Sequence, residues 1–174
     1  MKFRRVTRGG AYYRVCDPAW VDPTSTAYAK RMGGRWNPRG AFGALYLSRT
    51  IDVAAANARR SLAREFGDAV TFDDLRAETR PQLLQVTIAE HRFVDACTDA
   101  GLTAVGLSAA YPKGAGYRRC QRVGLAAYLA GEAGIAARSA VHSPGEELAL
   151  FDSALALHRA GERVPFARWY PGAA

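Results

Sequence analysis

An α+β fold, one compact domain over residues 1–174 with a mixed sheet and flanking helices, is predicted by three observations. Short apolar runs of strand length are interspersed with two longer segments of helical periodicity. The strands and helices do not alternate as regular βαβ units. The chain has 174 residues, 49% of them hydrophobic, which suits a single domain with its own core.

The elements follow in chain order. Ala11 to Val15, "AYYRV", is a short aromatic strand. The stretch "CDPAWVDPTSTAYAKRM" contains two Asp-Pro pairs and reads as loop. Gly43 to Ser48, "GALYLS", is an apolar, buried strand. A helix starts at Thr50 or Asp52. In it Ile51, Ala55, Ala58, Leu62 and Phe66 form one apolar face, Arg59, Arg60 and Arg64 lie opposite, and Gly67 is the stop. Gln82 to Ile88 is a second strand, and Tyr117 to Ala130 a second helix ending near Gly131 or Gly134. Ile135 to Val141 and Glu147 to Phe151 are strands joined by the "HSPGE" turn. "VPFARWY" is a final strand candidate.

Composition limits the function classes. No run of 18 apolar residues occurs, and the basic N-terminus has no apolar core of signal-peptide length, so no membrane span and a cytoplasmic location are expected. Cys16, Cys97 and Cys120 are odd in number and widely spaced, which argues against a disulfide framework and a cysteine zinc site. His91, His142 and His158 show no ligand spacing, and no metal is expected. The net charge of +8 invites a nucleic-acid reading. The arginines are dispersed among acids, however, and a basic pocket for a phosphorylated small molecule suits the charge at least as well. No direct nucleic-acid contact is expected. Dinucleotide and phosphate-loop fingerprints are absent: "GAGYRR" has Arg119 where the third glycine belongs.

The informative stretch is "GGRWNPRGAFGALYLS", Gly33 to Ser48. An arginine on a glycine-rich loop presents a rigid fork to phosphate or carboxylate. Glycines such as Gly34 let a ligand approach the backbone. Tyr46 on the following strand can stack on a flat ring and donate a hydrogen bond. The same residues also fit a plain Gly-Pro turn, with Arg35 in an ion pair and Tyr46 in the core.

"YYRV", "GGRWNPRGAFGALYLS", the helix after it and "GIAARSAVHSPGEELALF" together resemble the RES domain, over about Tyr12 to Phe151. That family supplies toxins of bacterial toxin–antitoxin pairs. The resemblance implies a fold similar to ADP-ribosyltransferase toxins and consumption of NAD by hydrolysis, phosphorolysis or ADP-ribosyl transfer. NAD is then a substrate, and no cofactor is implied. The implied partner is an antitoxin with a helix-turn-helix DNA-binding part, and a homodimer is left open.

By the same resemblance the motif arginine falls on Arg35, the tyrosine on Tyr46 and the serine on Ser139. Arg35 is expected to meet the pyrophosphate, Tyr46 the nicotinamide or its ribose, and Ser139 the ribose or the nicotinamide amide. Gly34 and Asn37 are expected to line the substrate site, and Trp36 to pack. The motif glutamate is expected eleven residues beyond the tyrosine, where this chain has Asn57. Three outcomes are open: another acid substitutes, the enzyme is slower or differently tuned, or the protein binds a nucleotide without turnover. Glu146, after the turn, is the favoured substitute, and Glu65 is read as surface.

Overall fold

A computed structural model describes residues 2–171. Its six strands are β1 (Arg5–Cys16), β2 (Ala44–Ser48), β3 (Gln82–Ala96), β4 (Gly134–Arg138), β5 (Glu146–Phe151) and β6 (His158–Val164). The helices are α1 (Ala27–Met32), α2 (Ile51–Phe66), α3 (Asp99–Ala104), α4 (Tyr117–Leu129) and α5 (Phe166–Trp169). No helix among the described residues is long and apolar enough to cross a membrane.

The strand pairings run β1-β2-β5-β4-β3-β6, and β1 also pairs with β3, so five strands close into a ring with β6 on its outside. The long β3 makes this possible. One edge pairs with β1 from Cys16↔Gln82 to Arg5↔Val94, while the other pairs first with β6 and then with β4. Closure between β1 and β2 rests on one pair, Tyr13↔Ser48. Among the described residues only β3 and β4 are parallel; every other pairing is antiparallel. The mixed α+β architecture expected from the sequence is therefore the one observed.

Alternation along β2 and β5 sends their side chains into two of the three buried clusters. Leu45, Leu47, Leu148 and Leu150 join Tyr12, Val86 and Phe93 in one. Ala44, Ala149 and Phe151 join Trp36, Phe42, Tyr111 and Cys120 in the other, with Tyr46 packed against it. Helix α2 is capped by Thr50, whose side chain accepts from the Val53 N–H, and it buries Val53 to Ala56, Ala58 and Leu62. This is the helix expected, except that its two end residues, Ile51 and Phe66, are exposed.

Three other elements differ. The Asp-Pro loop contains the short helix α1, whose residues are all at least partly exposed. The strand expected to run to Val141 stops at Arg138, where the Ser139 hydroxyl accepts the Val141 and His142 N–H groups and turns the chain. "VPFARWY" is not a strand: β6 ends at Val164, Pro165 has no N–H for a ladder, and α5 follows.

Candidate functional site

The glycine-rich loop is built around one side chain. Asn37 is fully buried; its amide donates to the Ala29 and Phe42 carbonyls at 2.8 and 3.1 Å. Its Oδ1 accepts the Tyr46 hydroxyl at 2.8 Å, and that hydroxyl accepts the Trp36 N–H at 2.9 Å. Burial pushes the Tyr46 phenol well above its ordinary value, so it keeps the proton it donates. A Cβ at Gly34 would stand 2.5 Å from the Tyr46 hydroxyl and 2.7 Å from Asn37 Oδ1.

Two expectations are corrected here. Asn37 cannot line a substrate site, because its polar atoms are spent inside the loop. Gly34 is glycine to admit Tyr46 and Asn37 rather than a ligand. Tyr46 itself clamps the loop with its hydroxyl, which leaves only its ring for a ligand.

Beyond the clamp, Trp36 is buried as expected. Helix α4 lies across the loop: Gln121 donates to the Gly34 carbonyl at 2.9 Å, and a Cβ at Gly124 would overlap the Trp36 carbonyl.

Arg35 projects from this fixed loop. Its guanidinium sits 5.0 Å from the centre of the Tyr117 ring, and its Nη1 is buried without a hydrogen-bond partner. The Tyr111 hydroxyl is likewise buried and unpartnered. A buried polar atom left unpaired costs about 1–3 kcal/mol. Arg35 and Tyr111 lie close enough to influence each other, and each keeps hydrogen-bonding capacity that no described residue uses. Burial raises the Tyr111 phenol above its ordinary value; Arg35 opposes that shift and Glu147 adds to it. Tyr111 thus feels a cation and a carboxylate.

Glu147 was passed over in the sequence. It lies on β5 opposite Ser48 of β2 and Ala137 of β4. Ser139 donates from its hydroxyl to Glu147 Oε1 at 3.1 Å, and Asn57 donates from its amide to the same oxygen at 2.8 Å. Asn57 also reaches the Ser48 hydroxyl, at 3.4 Å. Helix α2, strand β5 and the turn after β4 therefore meet at one carboxylate.

Glu146 points the other way. Arg8 donates to both its oxygens at 2.7 Å, and Tyr12 and Cys97 approach it at 3.4 and 3.3 Å. Burial and this carboxylate raise the Tyr12 phenol to about 12. The substitute acid expected from the sequence is thus locked in an ion pair on the opposite face, away from Ser139. Glu65 is exposed, as read.

Register was the signal available. The Ser139 N–H donates to the Gly145 carbonyl, which sets Ser139 opposite Gly145 and diagonal to Glu147 on one face of the hairpin. Glu146 pairs with Arg138 and faces away. Both faces of β5 are otherwise apolar, so alternation in the sequence did not reveal which glutamate faces the serine.

The RES domain matches residues 11–169, and the chain belongs to that family. A chain of the M. tuberculosis MbcT–MbcA toxin–antitoxin complex superposes with a TM-score of 0.78 at 23% identity, covering 92% of this chain and 86% of that one. A comparison with curated protein sequences finds no match.

Proposed function

We propose that this RES-domain protein is an NAD-consuming toxin that cleaves the nicotinamide–ribose bond, with water or phosphate as the acceptor, and that a cognate antitoxin neutralises it. The observation that carries the reading is Arg35, held on a clamped loop with a buried, unpartnered Nη1 beside the unpartnered Tyr111 hydroxyl. A pyrophosphate supplies acceptors for both groups, and a guanidinium fork matches it bidentately. Family membership and the likeness to a chain of a toxin–antitoxin complex support the same reading. Ser139 is buried, with its hydroxyl taken up by Glu147 and by the Val141 and His142 N–H groups, so it serves the site by holding that carboxylate, and the half-buried Tyr46 ring offers a stacking surface.

Purified protein incubated with NAD tests it directly. Released nicotinamide with ADP-ribose, or its phosphorylated form, is the expected result. Transfer of the label to a protein would instead identify an ADP-ribosyltransferase, and no nicotinamide release would overturn the proposal. In bacteria without an antitoxin, expression should lower cellular NAD and stop growth. Arg35→Ala or Ser139→Ala should relieve both effects.

A further inference from the structure

We infer that the carboxylate of this site is carried by strand β5, as Glu147, in place of an acid on helix α2. The inference rests on the NAD-cleaving reading above and adds the residue that reading lacks.

The geometry is specific. Both protein donors, Ser139 and Asn57, take the same oxygen, Oε1. Oε2 makes no hydrogen bond within the protein among the described residues, although the residue is half-buried. A carboxylate fixed through one oxygen and open at the other is oriented to accept from a ligand hydroxyl. Glu147 pairs with Ser48 on the face of the sheet that also carries Tyr46, and the Tyr46 hydroxyl accepts the Trp36 N–H next to Arg35, so the anionic and cationic groups stand on one side of the sheet. Arg35 serves the pyrophosphate, and Glu147 serves the ribose.

The chemistry requires such a group. When the bond between nicotinamide nitrogen and ribose carbon breaks, its electron pair goes to the pyridinium nitrogen, which leaves neutral. The ribose is left with oxocarbenium character. The acceptor's oxygen then bonds to that carbon and its proton is lost to solvent. Glu147 offsets the transient positive charge and holds a ribose hydroxyl through Oε2, an electrostatic contribution made in the transition state. Asn57, which donates to Oε1, is a positioning residue: it keeps the carboxylate aimed.

Glu147→Gln and Glu147→Asp should be compared with the native protein by steady-state release of nicotinamide and by NAD binding. Glutamine keeps the shape and removes the charge. We expect kcat to fall on the order of 10²-fold or more, with NAD affinity within about threefold and the aspartate variant between the two. A glutamine variant with native kcat, or a loss confined to KM, overturns the inference while leaving the NAD reading intact. No release by the native protein overturns the reading and the inference together. An unchanged circular dichroism spectrum and melting temperature accompany the expected result; a glutamine variant that loses turnover only by unfolding also counts against it.

Discussion

Asn57 Nδ2 lies 2.8 Å from Glu147 Oε1, joining residues 90 positions apart on a helix and a strand. The pairing is complementary because one partner is neutral. A glutamate at position 57 would set two carboxylates at hydrogen-bond distance, and one of them would have to take up a proton. The amide donates instead, and Ser139 is the second donor to the same oxygen. The identities at 57 and 147 are therefore coupled physically.

Arg35→Lys keeps the charge and loses the planar fork. NAD binding should weaken by about 1–3 kcal/mol, the usual worth of a charge-assisted hydrogen bond. Calorimetry with NAD is the test, and equal affinities for the two proteins would remove Arg35 from the pyrophosphate.

Gly124→Ala pits two effects against each other. Alanine is worth about 1 kcal/mol more than glycine inside a helix. Against that, a Cβ at this position would overlap the backbone carbonyl of Trp36, which is not the end of a flexible side chain. Overpacking of this kind costs about 1–3 kcal/mol. The loop is also tied down by Gln121, so the cost should fall at the upper end of that range and exceed the gain. Denaturant unfolding should show a net loss, and the same shift should weaken NAD binding through Arg35. A more stable variant would mean that α4 does not press on the loop.

Asp95 should dominate one acid-sensitive step. Its Oδ1 accepts the Cys97 and Thr98 N–H groups at 2.8 and 3.0 Å, and Oδ2 accepts the Thr98 hydroxyl at 2.5 Å, at the start of α3. Burial opposes the charge, but these hydrogen bonds, with help from Arg8, bring the pKa below the ordinary carboxylate value. A depressed folded pKa gives stability that is present above the unfolded value, about 3.9, and is lost as pH falls through the folded one. Asp95→Asn should lower stability at pH 7 and flatten its decline below about pH 4. Urea unfolding at pH 7 and pH 3 checks this; identical pH dependence in both proteins would refute it.

Much of the fold was legible because its signals are local. Helix α2 announces itself through Thr50, the spacing from Ala55 to Leu62 and Gly67, and β2 through an unbroken apolar run. The site was legible only in part. Arg35 projects from its loop with one nitrogen unpartnered, while Ser139 and Asn57 meet at the Glu147 carboxylate. Asn37 and Gly34 looked like ligand contacts, because a loop that folds around its own asparagine has the same residue types as one that folds around a phosphate. Glu146 and Glu147 are neighbours in sequence and strangers in space. Only the register of the β4–β5 hairpin separates them, and the Ser139 turn that sets it depends on hydroxyl-to-backbone bonds that composition does not encode. The closing β1–β3 pairing was hidden for a similar reason: the polar run after Ile88 does not look like strand, yet β3 continues through it to Ala96.

The coupling between positions 57 and 147 gives the most demanding test. Glu147→Asn alone removes the carboxylate and should lose turnover on the order of 10²-fold. Asn57→Glu alone should slow the reaction, since the two carboxylates repel and one is protonated at neutral pH. The double variant Asn57→Glu/Glu147→Asn reverses the hydrogen bond and keeps one negative charge in the pocket. Now the amide on β5 donates and the carboxylate on α2 accepts. The charge moves by about the length of a side chain, and the longer glutamate on the helix compensates for the shorter asparagine on the strand. Turnover should therefore recover at least about tenfold over Glu147→Asn, a negative coupling of about 1.4 kcal/mol or more between two sites in direct contact. Steady-state nicotinamide release from all four proteins, each verified as folded, measures it. A double variant no faster than Glu147→Asn would show that the carboxylate works from β5 alone and that the two positions are not exchangeable.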